Sequence, residues 1–422
     1  MDIRISTLLA GLVATFFLSP LPAVAQSAEM DEGTAGNVDE SLDEVMVDVQ
    51  GSIEEVDNRR GISFEGDLRA GHLFTGDGFS DFEFKSGNTF RARWRLGSTW
   101  RIRDGLRVVG RIAGLCSSEE CSPDFIMQPD LPGFASIEDG QITIGDLFLH
   151  WFRTDRFDVA VGRLETKFIT RGGVFSKSLE RNDNNNLRVN WTDGFHSTYR
   201  AGNGWTSHLI LQYNSEDGPG NVRRFPLDFT ASDARVSYHL AFENLEPKRL
   251  MIQRALTVSY LPASLRQVTS GGVVRDDYVG VVGRLGHRWP KRDEGWRIRS
   301  SLEVGYAPTT QSRTLAGIVG DGDAGGLAWA VTASAMDFLP NHSIGLNYAR
   351  TEAGWLLSPQ YASNEELIEV RYMWRPTSRI TVDVRGRWRD ELRERVAPGI
   401  ARDRFDFYAR FTWSFTIKDR SR

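Results

Sequence analysis

Arginine is the residue whose spacing in this sequence most invites a chemical reading. In FRARWRL (90–96), Arg91, Arg93 and Arg95 alternate with the apolar Phe90, Ala92, Trp94 and Leu96. The same two-residue step separates Arg297 from Arg299 and Arg385 from Arg387. Arg107, Arg111 and Arg188 fall on the charged parity of their own segments. A guanidinium stays charged and offers a planar fork of donors, so rows of them on one face attract and steer anions. A further basic set, Lys167, Arg171, Lys177 and Arg181, spans the end of VGRLETKF and the following ITRGGVFSKSLERNDNNN.

Other chemistry is sparse. Neither HExxH nor GxSxG occurs. Cys116 and Cys121, in CSSEEC, are the whole thiol complement and fit one short-range disulfide of an exported protein. As a metal site, CxxxxC would supply only two ligands. GDGDAGG matches GxGxxG at Gly320, Gly322 and Gly325, but no helical pattern follows, so it reads as a loop rather than a phosphate cradle. Asn341, His342 and Ser343 are consecutive, alternate faces on a strand and cannot converge. No catalysis, cofactor, metal or nucleic-acid partner is expected.

The elements that must position the arginines follow from the rest of the chain. Residues 1–25 read as a signal peptide: Arg4, an apolar run from Leu8 to Leu18, then Ala23-Val24-Ala25. The run is shorter than the roughly 20 residues a membrane-spanning helix needs. Residues 26–60 hold eleven acids and two bases and form an expected acidic periplasmic segment; residues 61–422 are net positive although the chain totals -5. With 25% charged residues and a mean hydropathy of -0.35, the remainder could enter a bilayer only as strands.

From residue 61 period-two alternation repeats, as in ISFEGDLRAGHLF (62–74), GWRIRSSLEVGY (295–306) and RFDFYARFTWSF (404–415). The expected fold is an all-β transmembrane antiparallel barrel over 61–416, with a tail at 417–422. Sixteen strands are predicted, beginning near 62, 88, 105, 141, 157, 186, 204, 233, 250, 277, 295, 326, 341, 366, 378 and 404. Seven short links (at 103, 154, 201, 243, 290, 338 and 375) alternate with long ones near 75–87, 116–140, 167–185, 214–232, 262–275, 308–325, 351–364 and 390–403. That alternation predicts short periplasmic turns, long extracellular loops and periplasmic termini. Trp100, Trp151, Trp205, Trp289, Trp296, Trp374 and Trp413 gather at the short-turn level, as an interfacial girdle would. With the apolar parity on lipid, the arginines line the lumen with Arg200, Arg235 and Arg379, joined by the acids Glu65, Asp67, Glu303, Asp383 and Asp406.

This layout resembles the sixteen-stranded porin superfamily, including general diffusion and phosphate-selective porins. The strand order, the loop alternation, the GRL of the fifth strand and the aromatic last strand carry the likeness. It implies a loop after strand five that folds into the barrel and narrows it, facing a basic cluster on the opposite wall. It also implies a channel for small hydrophilic solutes, contact with outer-membrane lipid, and a homotrimer. The arginine rows add an expected preference for anions. Two features depart from the pattern: seven residues, TIKDRSR, follow Phe415, and the candidate loop is basic. A substrate-specific uptake or export channel, or a barrel enzyme, are the alternative readings.

Overall fold

In the computed structural model the described residues are 61–79, 84–127, 136–166, 168, 171–180, 189–214, 225–227, 229, 235–269, 271–289, 296–358, 360–396 and 401–418. All belong to the unit Asn58–Arg422; the signal-peptide and acidic-segment expectations lie outside them.

Sixteen strands build the wall: β1 Ile62–Phe79, β2 Phe84–Arg103, β3 Leu106–Ser117, β4 Gln141–Thr154, β5 Phe157–Leu164, β6 Thr192–Arg200, β7 Trp205–Asn214, β8 Arg235–Asn244, β9 Met251–Thr269, β10 Gly272–Arg288, β11 Arg297–Tyr306, β12 Leu327–Leu339, β13 His342–Thr351, β14 Glu365–Thr377, β15 Ile380–Glu391 and β16 Ala401–Lys418. Each pairs antiparallel with its sequence neighbours, and β1 pairs with β16 from Ser63↔Lys418 to Phe79↔Ala401, closing the barrel. A two-residue strand, Asp124–Phe125, pairs in parallel with the start of β4. Closure removes every edge, so the wall's backbone groups are paired within the sheet.

The alternation sorts the side chains as the sequence implies. On β11, Leu302, Val304 and Tyr306 are exposed on the outside, while Arg297, Arg299, Ser301 and Glu303 are buried inside. On β2, Phe90 and Leu96 are exposed, whereas Arg93 and Arg95 are 1% and 3% exposed. Trp100, Trp151, Trp205, Trp289, Trp374 and Trp413 are exposed close to the short links. This is the position an interfacial girdle occupies.

Four boundaries differ from expectation. The predicted long link at 75–87 is mostly strand: β1 and β2 stay paired up to Gly78↔Phe84. The predicted link at 262–275 is likewise a hairpin, with Thr269 opposite Gly272 after a register shift between Leu261 and Leu265. The first is rich in Gly, Asp and Ser, the second holds Pro262 and two each of Ser and Gly, and both read as loops. Beyond the bilayer, however, cross-strand hydrogen bonding sustains a ladder without apolar side chains. The sixth strand, predicted from near 186, opens at Thr192; Arg188 lies outside the described residues. At the far end β16 runs to Lys418, two residues past 416.

Because lipid should meet the outer parity, Leu302→Arg is expected to lower barrel stability by about 2–4 kcal/mol near mid-bilayer. Urea titration of the protein folded into lipid vesicles would measure it. An unchanged midpoint and slope would mean that this face does not meet lipid.

Candidate functional site

Closure makes β14, β15, β16, β1, β2, β3 and β4 one continuous stretch of wall, and its inward positions carry arginines tied to shared acids. Asp67 on β1 receives Arg93 at 2.9 Å and Arg95 at 2.5 Å from β2, with Arg69 of its own strand at 3.4 Å. On β16, Asp406 is bonded by Arg387 at 2.6 Å and approached by Arg385 at 3.6 Å and Arg389 at 3.9 Å. Asp383 on β15 lies between Arg371 (3.3 Å) and Arg410 (2.5 Å) of the flanking strands. Arg111 meets Glu65 at 2.6 Å and Asp146 at 2.8 Å. Asp67, Asp406 and Asp383 each serve two or three cations, whereas Arg111 is shared by two acids; these arginines outnumber the acids they share, which leaves the lattice with an excess of positive charge. These charges are buried, so removing an acid would strand its partners at a cost of several kcal/mol.

The segment after β5 does enter the barrel. Glu165, at its start, reaches back to Arg95 at 2.5 Å and Arg111 at 3.6 Å. Residues 171–180 then lie against β9 to β14. The Arg171 amide donates to Gln253 Oε1 (2.9 Å), and the Val174 amide donates to Ser334 Oγ (3.2 Å). Arg371 Nη1 donates to the Val174 carbonyl at 3.0 Å. Lys177 pairs with Glu369. The Ser178 hydroxyl (2.8 Å) and Leu179 amide (2.7 Å) both donate to the Glu303 carboxylate. Arg284 joins Glu303 at 2.6 Å to Glu180, and Ser259 Oγ donates to Glu180 at 3.1 Å.

Two glycines allow this close seating. A Cβ on Gly172 would stand 2.0 Å from Thr332 Oγ1; Gly173 has φ +86° and its Cβ would be 2.4 Å from that of Ser334. A second inward segment covers the first: Trp355 Nε1 donates to the Leu179 carbonyl and Ser358 Oγ to the Ser178 carbonyl, both at 2.9 Å. Wall glycines again make room, since a Cβ on Gly305 would come within 2.7 Å of Trp355 and one on Gly280 within 2.3 Å of Leu357. Trp355, Leu356, Leu357, Tyr361 and Leu179 join Tyr278, Leu261 and Leu265 in the largest apolar cluster, inside the barrel. The lumen is thus filled from the β9–β14 side, while on the other side the arginines share the wall with a smaller apolar cluster of Ala113, Leu115, Ile137, Val189 and Trp191.

The predicted site residues distribute as follows. Arg93, Arg95, Arg111, Arg385 and Arg387 come together on the shared-acid wall. Arg91 sits nearer the rim, 3.0 Å from Asp139. Arg107 is buried beside His150 Nδ1 at 2.8 Å, away from that lattice. Arg297 pairs with Asp337 at 2.6 Å, and Arg299 is buried on the same face. In the loop, Arg171 and Lys177 lie in the lumen, whereas Lys167, Arg181 and Arg188 fall outside the described residues. Cys116 and Cys121 form a disulfide at the end of β3. Sequence reading missed Arg69, Arg284, Arg371, Arg389 and Arg410. The parity rule that found Arg385 would have reached all five, since each stands an even number of residues from an inward acid or arginine.

No protein-family model matches the sequence, and no curated protein does either. Among solved structures, OprB of Pseudomonas putida superposes with a TM-score of 0.54 at 13% identity, covering 93% of this chain and 100% of that one. OccK9 (OpdG) of Pseudomonas aeruginosa gives 0.51 at 13%, covering 84% and 98%. The fold is that of a porin-like barrel. A mutant of the Rh. blastica porin aligns more loosely, at 0.45 and 11% identity.

Gly173→Val should lift the lumen loop off β12, because the larger side chain meets Ser334 from an unfavourable backbone conformation. Trypsin is expected to cut after Lys177 in this variant and to spare the wild type in detergent. Equal resistance would mean that the glycine contact does not seat the loop.

Proposed function

We propose that this chain forms a water-filled channel across the outer membrane for small hydrophilic solutes, with a preference for anions. The observation that carries the reading is the pairing of an apolar outer face with an inner wall of arginines that share acids. Such a wall requires water or ionic partners rather than hydrocarbon. The long loops would face outward from the cell, the short turns and both termini the periplasm, and a homotrimer belongs to the same reading. Anion preference follows from the excess of guanidinium over carboxylate, since a narrow low-dielectric passage focuses that field onto passing ions. Lys177 adds little to it, being spent on Glu369. A substrate-specific channel is the second reading, favoured by the two inward segments that fill the β9–β14 half of the lumen. A barrel enzyme is the third reading, and no grouping of side chains among the described residues favours it.

Planar-bilayer recording in a KCl gradient tests the proposal. Stepwise ohmic currents with a reversal potential on the chloride side are expected at about 0.1 M salt, where the Debye length is about 10 Å. Arg93→Glu with Arg95→Glu should weaken or invert that potential, and salt near 1 M should blunt it. Cation preference in the wild type would reject the anion reading, and absence of current would reject the channel itself.

A further inference from the structure

Four histidines line the inner wall of β4 to β8, and they are not alike. His150 is held at both ring nitrogens, by Arg107 at 2.8 Å and Asp158 at 2.8 Å. His239 Nδ1 faces Ser259 Oγ at 2.8 Å. His196 on β6 and His208 on β7 instead turn nitrogens toward each other, with His196 Nε2 3.1 Å from His208 Nδ1. The register explains it. Thr198 stands opposite His208 and Ile210 opposite His196, so the two imidazoles are diagonal neighbours on the lumen side of one antiparallel pair.

We propose that His196 and His208 form a two-point site for a divalent transition-metal ion of the zinc, copper or nickel type, with Glu243 orienting His208. Imidazole suits these metals. With metal–nitrogen bonds of about 2.0–2.1 Å, two ligands stand about 2.9 Å apart at a right angle and about 3.4 Å apart at a tetrahedral one; the observed 3.1 Å lies between. The rings, with centroids 5.3 Å apart and planes at 42°, share a hydrogen bond between these nitrogens, and a metal ion would take the place of its proton. Each ring then carries its proton on the far nitrogen. For His208 that nitrogen is Nε2, which lies 3.4 Å from Glu243 Oε1 on β8. A carboxylate behind a ligating histidine is the usual means of fixing its tautomer and orientation.

The side chains of His208 and Glu243 keep 14% and 22% exposure, and Phe168 of the inserted segment meets the His208 ring edge-on at 6.2 Å. His208 is only the fourth residue of β7, so the pair sits about 10 Å above the short-turn rim at the rise of a strand, within reach of ions from that side. Among the described residues no group of three or more His, Cys, Asp or Glu gathers to hold a metal. Water would therefore complete the coordination, and binding should be reversible.

Calorimetric titration of the detergent-solubilised barrel with Zn2+ reads this directly, whether or not the barrel conducts. Saturable uptake at one site is expected, weakened at least tenfold in His196→Ala and in His208→Ala and about tenfold in Glu243→Gln. His239→Ala should bind as the wild type does, and heat-modifiable mobility on a gel checks that each variant is folded. Should the variants fail to fold, the electron paramagnetic resonance spectrum of Cu2+ on the wild type still decides, because coupling to imidazole nitrogens is expected. Absence of saturable Zn2+ uptake, uptake unchanged in both histidine variants, or Cu2+ without nitrogen coupling would overturn the site.

Discussion

The pairing of β1 with β16 is the constraint on which everything else in the molecule depends. It joins residues more than 300 positions apart in the chain and leaves no strand with unpaired backbone. In hydrocarbon an unpaired amide or carbonyl costs several kcal/mol, so an open sheet of this sequence could not sit in a bilayer. The same pairing makes β1, which carries Asp67, the bridge between β16 and the β2 arginines that Asp67 binds. Without closure the basic wall would be two separate halves at opposite edges.

Inside the barrel, stability and passage make opposing demands. Buried charges are tolerated because Asp67, Asp383 and Asp406 each hold arginines within ion-pair distance, and because Glu303 satisfies a loop amide, a loop hydroxyl and Arg284 together. Such a network is stable only when complete. The inserted loop is consequently part of the wall's own charge balance: Glu180 partners Arg284, Lys177 partners Glu369, and Glu165 partners Arg95 and Arg111. Glycines at 172, 173, 280 and 305 supply the clearance that lets backbone and tryptophan lie flat on strands. The apolar cluster around Trp355 then fills part of the β9–β14 half of the lumen, above the Arg284–Glu303–Glu180 ion pairs.

Much of this was legible in the sequence, and the reasons are physical. Period two is imposed by the strand itself, so the faces of Arg93, Arg95, Arg297 and Leu302 could be read directly. Strand number was legible because each crossing needs its own apolar set. Strand length was less so: TGDGFSDFEFKSGN and PASLRQVTSGG read as loops, yet pairing continues into both, as far as Gly78↔Phe84 and Thr269↔Gly272. Contacts of the inserted loop were beyond reading, since Leu179 and Glu303 are 124 residues apart and no local pattern joins them. The His196–His208 meeting depends on the register of β6 against β7, which spacing alone does not fix.

The central claim, that one parity of each strand meets lipid and the other meets water, is tested most directly by cysteine scanning along β2. With Cys116 and Cys121 replaced by Ser, single cysteines at positions 91 to 96 would be exposed to a charged, membrane-impermeant thiol reagent in reconstituted vesicles. Positions 91, 93 and 95 should react and positions 92, 94 and 96 should not. Reaction at the even positions, or no alternation at all, would contradict the account.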